Sequence, residues 1–136
     1  MEGMRQERCG RVLVADDDPA LRNVIRFSLQ GAGFEVIACR DGQDALSQLK
    51  EQSIDMLVTD MQMPRMSGVE LCEKVRSEDR YRDLPVLLLT AKGLELDIER
   101  LRTDLGLAEV MFKPFSPREL TRSVARHVRE AMEKNA

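Results

Sequence analysis

The chain has no tryptophan, a single tyrosine, a single histidine and only three cysteines among its 136 residues. The cysteines, Cys9, Cys39 and Cys72, are odd in number and far apart, which excludes a disulfide framework and any cysteine spacing suited to a metal. They read as small core or surface residues in a reducing cytoplasm. The lone histidine, His127, reads as a surface residue on the C-terminal helix rather than as a phosphotransfer group. No apolar run approaches the length of a membrane span. Residues Met1 to Gly10 are polar and mixed in charge, unlike a signal peptide, and read as a loose tail. Positive charge is not in excess either: the net charge is −3 and the pI near 5.3. That balance argues against direct nucleic-acid binding. What remains is a globular composition, 43% hydrophobic and 33% charged, long enough for one domain with a real core.

That domain is expected over residues 11–133, with a short tail at 134–136. Arg11 to Ala15 carries the β-rich run Val12-Leu13-Val14 and ends in Asp16-Asp17-Asp18-Pro19. An aspartate before a proline suits an N-cap and first helical position. The helix that follows runs to about Gln30, with Leu21, Val24, Ile25 and Leu29 on one face, and Gly31 and Gly33 stop it. Phe34 to Ala38 is a second strand, and Asp41-Gly42 turns the chain into a helix reaching about Glu51. The next apolar run, Met56 to Val58, leads to a single carboxylate, Asp60, before Pro64 and Gly68 end regular structure. A third helix is expected from Gly68 to about Asp79, and a fourth strand over Val86 to Leu89, ending at Thr90. A fourth helix shows Leu94, Ile98, Leu101 and Leu105 at helical spacing. A fifth strand, Glu109 to Phe112, ends at Lys113-Pro114. Ser116 caps the last helix, with Pro117 at its first position and Leu120, Val124 and Val128 as its buried stripe. Five alternating strand–helix units predict one parallel sheet with helices on both faces, a doubly wound α/β fold.

Parallel strands bring their carboxyl ends to one edge, the edge at which open α/β sheets bind ligands. Here that edge collects Asp16, Asp17 and Asp18 from the first strand, Asp60 from the third, Thr90 from the fourth and Lys113 from the fifth. Close carboxylates repel, and an oxygen-only ligand set with few carboxylates suits Mg²⁺. An ammonium and a hydroxyl beside them suit a phosphoryl group placed on a carboxylate. Taken singly, each part has a plainer explanation: a helix cap, a structural threonine, a solvated lysine. Their coincidence on successive strand ends favours the chemical reading.

These motifs, Val14-Ala15-Asp16-Asp17-Asp18-Pro19, Val58-Thr59-Asp60-Met61-Gln62-Met63-Pro64 with Gly68, Leu89-Thr90-Ala91-Lys92 and Lys113-Pro114-Phe115, resemble those of the response-regulator receiver domains of bacterial two-component signalling. The likeness runs from about Arg11 to Arg129. It implies a flavodoxin-like sheet of strand order 2-1-3-4-5 with five helices. It further implies that Asp60 accepts a phosphoryl group from a histidine kinase or a histidine phosphotransfer protein. Asp17, Asp60 and the main-chain carbonyl of Gln62 would ligate Mg²⁺, with Asp16 acting through a water. Thr90 would hydrogen-bond the phosphoryl oxygens and Lys113 would pair with Asp60. Asp18 would add supporting charge or cap the helix. Three residues before the lysine, where the family often has Tyr or Phe, this chain has Val110, so a readout without the family's aromatic switch is expected. The resemblance implies a phosphoacceptor rather than an enzyme, cytoplasmic, with no membrane partner and with an unidentified downstream protein target. With too few residues after the last helix for a DNA-binding module, the chain reads as a single-domain regulator or a receiver from a longer protein.

Two other readings compete. A haloacid-dehalogenase-like phosphatase would use Asp16 as nucleophile and Asp18 as acid/base, with Thr90 and Lys113 on later strands. Against it stand Ala20, where that family usually has Thr or Val, and the lack of a late acidic pair or a cap domain. A receiver acting only as a binding module is weakened because every residue the phosphoacceptor chemistry requires is present. Arg118, Arg122, Arg126 and Arg129 share one face of the last helix and read as a solvated basic face, or more sharply as a docking stripe for an acidic partner. Met61, Met63 and Met66 read as loop packing.

Overall fold

A computed structural model describes residues 9–91 and 97–134. Five parallel strands, β1 (Arg11–Ala15), β2 (Glu35–Cys39), β3 (Met56–Asp60), β4 (Val86–Ala91) and β5 (Glu109–Lys113), form one sheet in the order β2-β1-β3-β4-β5. The helices are α1 (Pro19–Gly31), α2 (Gly42–Glu51), α3 (Gly68–Arg76), α4 (Ile98–Leu105) and α5 (Pro117–Lys134). This is the expected doubly wound topology. No helix among the described residues is long and apolar enough to cross a membrane.

The sheet separates two cores. On one face Ile25 and Leu29 of α1 and Leu120, Val124 and Val128 of α5 cover Val12, Val14, Met56, Val58, Leu87 and Leu89. On the other, α2, α3 and α4 cover Leu13, Leu57, Val86 and Leu88. Every residue of β3 is buried, because it lies at the centre with helices on both sides. Edge strand β2 buries only its last residue, Cys39. Each fully buried Leu or Val contributes roughly 1.5–3 kcal/mol, so the central strands anchor the edge at which they end.

The register fixes that edge. Ala15 lies beside Cys39 and Thr59, Asp60 beside Leu89, and Ala91 beside Lys113. The caps form as the residue types require. Asp18 accepts the N–H groups of Ala20 and Leu21 at the start of α1, and Ser67 and Glu70 form a reciprocal capping box on α3. Ser116 Oγ accepts the Glu119 N–H at the start of α5. Asp41, expected in a turn, instead caps α2 through the Asp44 N–H at 2.8 Å.

Some expectations need correction. Val24 is 45% exposed, so it lies on the flank of the α1 stripe rather than within it, and Phe27 is 80% exposed. Helix α3 stops at Arg76, and a 3₁₀ turn occupies Asp79–Tyr81. Ser77 caps the helix, its N–H bonding back to the carbonyls of Glu73 and Lys74, and Arg76 reaches across to the end of α4. Its guanidinium donates to the carbonyls of Leu105 at 2.7 Å, Gly106 at 3.0 Å and Tyr81 at 2.7 Å. His127 is not a free surface residue. Its Nε2 lies 2.8 Å from Glu109 Oε1 on β5, and its side chain is only 13% exposed. Leu94 and Lys92, and the tail before Cys9, fall outside the described residues.

Candidate functional site at the carboxyl edge of the sheet

Asp60 ends β3 at 6% exposure, and Lys113, at the end of β5, places its Nζ 2.8 Å from Asp60 Oδ1. Asp16, directly after β1, is fully buried. Its neighbour Asp17 is exposed and completes a group in which one ligand oxygen from each of Asp16, Asp17 and Asp60 lies within 4.8 Å of the others. The cluster therefore sets three carboxylates against one ammonium.

The protonation equilibria follow from this crowding. Burial raises the Asp16 carboxyl from its ordinary 3.8 to about 6, with the Asp60 charge adding to the rise and the Asp18 N–H opposing it. Burial also raises Asp60; the hydrogen bond and charge of Lys113 pull it back only in part, and the Asp17 charge pushes it further up. For Lys113 burial acts downward, but the hydrogen bond and charge of Asp60 outweigh it and the ammonium is held more firmly. The pair thus does not shift symmetrically. An isolated ion pair would lower the aspartate, whereas here desolvation and like charge prevail on the acid side.

One oxygen of Asp16 accepts the Asp18 N–H at 2.9 Å, and the other, Oδ2, is buried without a hydrogen-bond partner. An orphaned carboxylate oxygen beside two further carboxylates is what a hard cation with retained waters would satisfy. The donor set therefore fits Mg²⁺.

Thr90 is also in place, 1% exposed at the end of β4, but its hydroxyl donates to the Met61 thioether sulfur at 3.1 Å. Gln62 is exposed in the loop that follows β3. Asp18 points its carboxylate into its own helix as a cap, which leaves it poorly suited to the acid/base role of the phosphatase reading. The arginine stripe of α5 is exposed, and Arg126 is tied to Glu109 at 3.1 Å. The three methionines pack as expected: Met61 and Met63 are buried, and Met66 lies against Gly42, where a Cβ would meet its sulfur at 2.7 Å.

Other supports were not foreseen. Arg22 of α1 donates to the Asp16 carbonyl at 2.7 Å. Arg65, with a φ of 69°, reaches Asp41 at 2.8 Å and ties the loop after β3 to the start of α2. Gly68 closes that loop by donating its N–H to the Met61 carbonyl at 2.8 Å. A Cβ at this glycine would overlap the Asp60 carbonyl oxygen, so the close approach requires glycine. The Lys113–Pro114 peptide bond is cis.

Sheet order and edge together define a class: a flavodoxin-like domain with an acidic, lysine-braced pocket at its carboxyl edge. Within that class the relatives are specific. The sequence profile of the response regulator receiver domain matches residues 12–125, and the chain belongs to this family of two-component response regulators. It is 35% identical over 114 residues to the alkaline phosphatase synthesis transcriptional regulatory protein PhoP of Bacillus subtilis, covering 84% of this chain and 46% of that protein. It is 34% identical over 129 residues to the DNA-binding response regulator MtrA of Mycolicibacterium smegmatis, covering 95% and 53%. The chain thus spans about half the length of these relatives. Among solved structures, the chemotaxis response regulator CheY4 of Vibrio cholerae superposes with a TM-score of 0.79 at 30% identity, over 87% of this chain and 98% of that one. A response regulator receiver domain protein from Clostridium thermocellum gives 0.77 at 26% identity, over 93% and 96%.

Proposed function

We propose that Asp60 accepts a phosphoryl group from the phosphohistidine of a histidine kinase or a histidine phosphotransfer protein, and that the aspartyl phosphate switches the binding of a downstream protein. The observation that carries this is the buried Asp60 carboxylate held 2.8 Å from Lys113 Nζ, beside Asp16 and Asp17. An Asp60 oxygen attacks phosphorus as the phosphorus–nitrogen bond of the donor breaks and the imidazole leaves with the electron pair. Asp17, Asp60 and the Gln62 carbonyl would hold Mg²⁺, with Asp16 reaching it through a water. The cation supplies positive charge against the phosphoryl oxygens. Lys113 adds a second positive charge to the same oxygens, and Thr90 a hydroxyl donor. Autodephosphorylation would return the carboxylate, so the domain acts as a self-catalysing phosphoacceptor and not as an enzyme on an outside substrate.

The domain, residues 11–133, is on this reading a cytoplasmic switch. The chain's net charge of −3 does not favour direct contact with nucleic acid, which supports an output through protein partners. The readout uses no swinging ring: Val110 is half-buried against the α2–α3–α4 core, and a β-branched side chain has little freedom to move. The test is intact-mass measurement after incubation with Mg²⁺ and acetyl phosphate. Wild type gains one phosphoryl group, while Asp60→Asn, or wild type in EDTA, gains none. A modified Asp60→Asn protein would overturn the proposal.

A further inference from the structure

Resting on that reading, we infer that Met61 is a positioning residue: its thioether sulfur holds the Thr90 hydroxyl in a resting position and so sets how readily the domain takes up a phosphoryl group. The Thr90 hydroxyl donates to Met61 Sδ at 3.1 Å, and both side chains are buried, at 1% and 8% exposure. The sulfur is not free to wander. The Met61 N–H donates to the Leu89 carbonyl at 2.8 Å and its carbonyl accepts the Gly68 N–H at 2.8 Å, so the main chain is pinned on both sides. The side chain itself packs into the core that α2, α3 and α4 form with the sheet.

A thioether is a weak acceptor, and an anionic phosphoryl oxygen on Asp60 is a strong one. The hydroxyl therefore has two places to bond, unequal in strength, and phosphorylation decides between them. The methionine makes the resting place good enough to satisfy a buried donor, yet poor enough to release it. Its position directly after Asp60 couples the two: the same strand end that presents the carboxylate presents the sulfur. This is a population shift, biased by whatever bonds the hydroxyl in each state.

Met61→Leu keeps the volume and removes the acceptor, a change that cores tolerate. The buried Thr90 donor then loses its resting partner, and the resting state alone is penalised. With Mg²⁺ and beryllofluoride as an acyl-phosphate analogue, Met61→Leu is expected to bind the analogue roughly three- to tenfold tighter than wild type. In a Thr90→Val background, where no hydroxyl exists, the same substitution should change affinity by less than about twofold. The methyl carbon resonance of Met61, followed by NMR, should move on Thr90→Val without any ligand. Unchanged affinity in Met61→Leu, or the same tightening in the Thr90→Val background, overturns the inference while leaving the phosphoacceptor reading intact. Wild type that binds no beryllofluoride at all overturns that reading, and the inference with it.

Discussion

Asp16→Asn should stabilise the metal-free protein at neutral pH and do little in acid. Wild-type Asp16 is fully buried, and one of its oxygens has no partner. Its carboxyl is raised from 3.8 to about 6, chiefly by that burial. The folded protein therefore holds the proton to higher pH than the unfolded chain does. Below 3.8 both states are protonated and nothing is lost; as pH rises from 3.8 through about 6, stability falls and then levels off. At about 1.4 kcal/mol per tenfold in the ionisation constant, the ionised carboxylate costs the fold about 3 kcal/mol. Asparagine keeps an acceptor for the Asp18 N–H and turns the orphaned oxygen into a donor facing carboxylates. Recovering about 3 kcal/mol in a chain of this size should raise Tm by about 10 °C. Thermal melts by circular dichroism in EDTA are the assay, since the chain has no tryptophan to report fluorescence. The gain should vanish near about pH 4, and Mg²⁺ should shrink it by stabilising wild type. A variant equally stabilised at both pH values, or destabilised at neutral pH, would refute the electrostatic account of the cluster.

Arg76→Ala should cost about 2 kcal/mol in urea denaturation, since it strands carbonyls of Tyr81, Leu105 and Gly106, and Arg76→Lys should not restore a three-way contact. Gly68→Ala should destabilise by about 2–3 kcal/mol and weaken Mg²⁺ binding measured by NMR titration, because the new methyl displaces the Asp60 carbonyl. Val110→Ala should leave the phosphorylation-dependent change in amide exchange over Ile98–Leu105 in place, whereas Thr90→Ala should abolish it; loss of the change in Val110→Ala with normal phosphorylation would show that position 110 carries the signal.

The pattern of strands and their ends was readable because β3 and β4 are covered on both faces and so appear as apolar runs that stop at a polar side chain. Asp60 and Thr90 stand out for that reason, and Lys113 by its place before a proline. Caps were equally plain where the residue is specialised, as at Asp18 and Ser116. The supports around the site were hidden because they depend on long-range contacts between unspecialised groups. Arg76 finds its partners in main-chain carbonyls, which carry no sequence mark. The Thr90–Met61 bond joins residues 29 positions apart through a sulfur that composition assigns to packing. Likewise the Arg65–Asp41 pair spans 24 residues, and Asp41 is inconspicuous beside Gly42. His127 looked like a surface residue on an amphipathic helix. Only the placement of α5 against β5 shows that Glu109 receives it.

The claim on which the account rests is that Asp60 is the residue phosphorylated. It is tested most directly by treating the Mg²⁺- and acetyl-phosphate-labelled protein with borohydride, which reduces an aspartyl phosphate to homoserine, and locating the change by peptide mass mapping. The account predicts homoserine at position 60 alone, in the peptide that contains Met61 and Gln62. Reduction at Asp16 instead would contradict it and restore the phosphatase reading of the same edge.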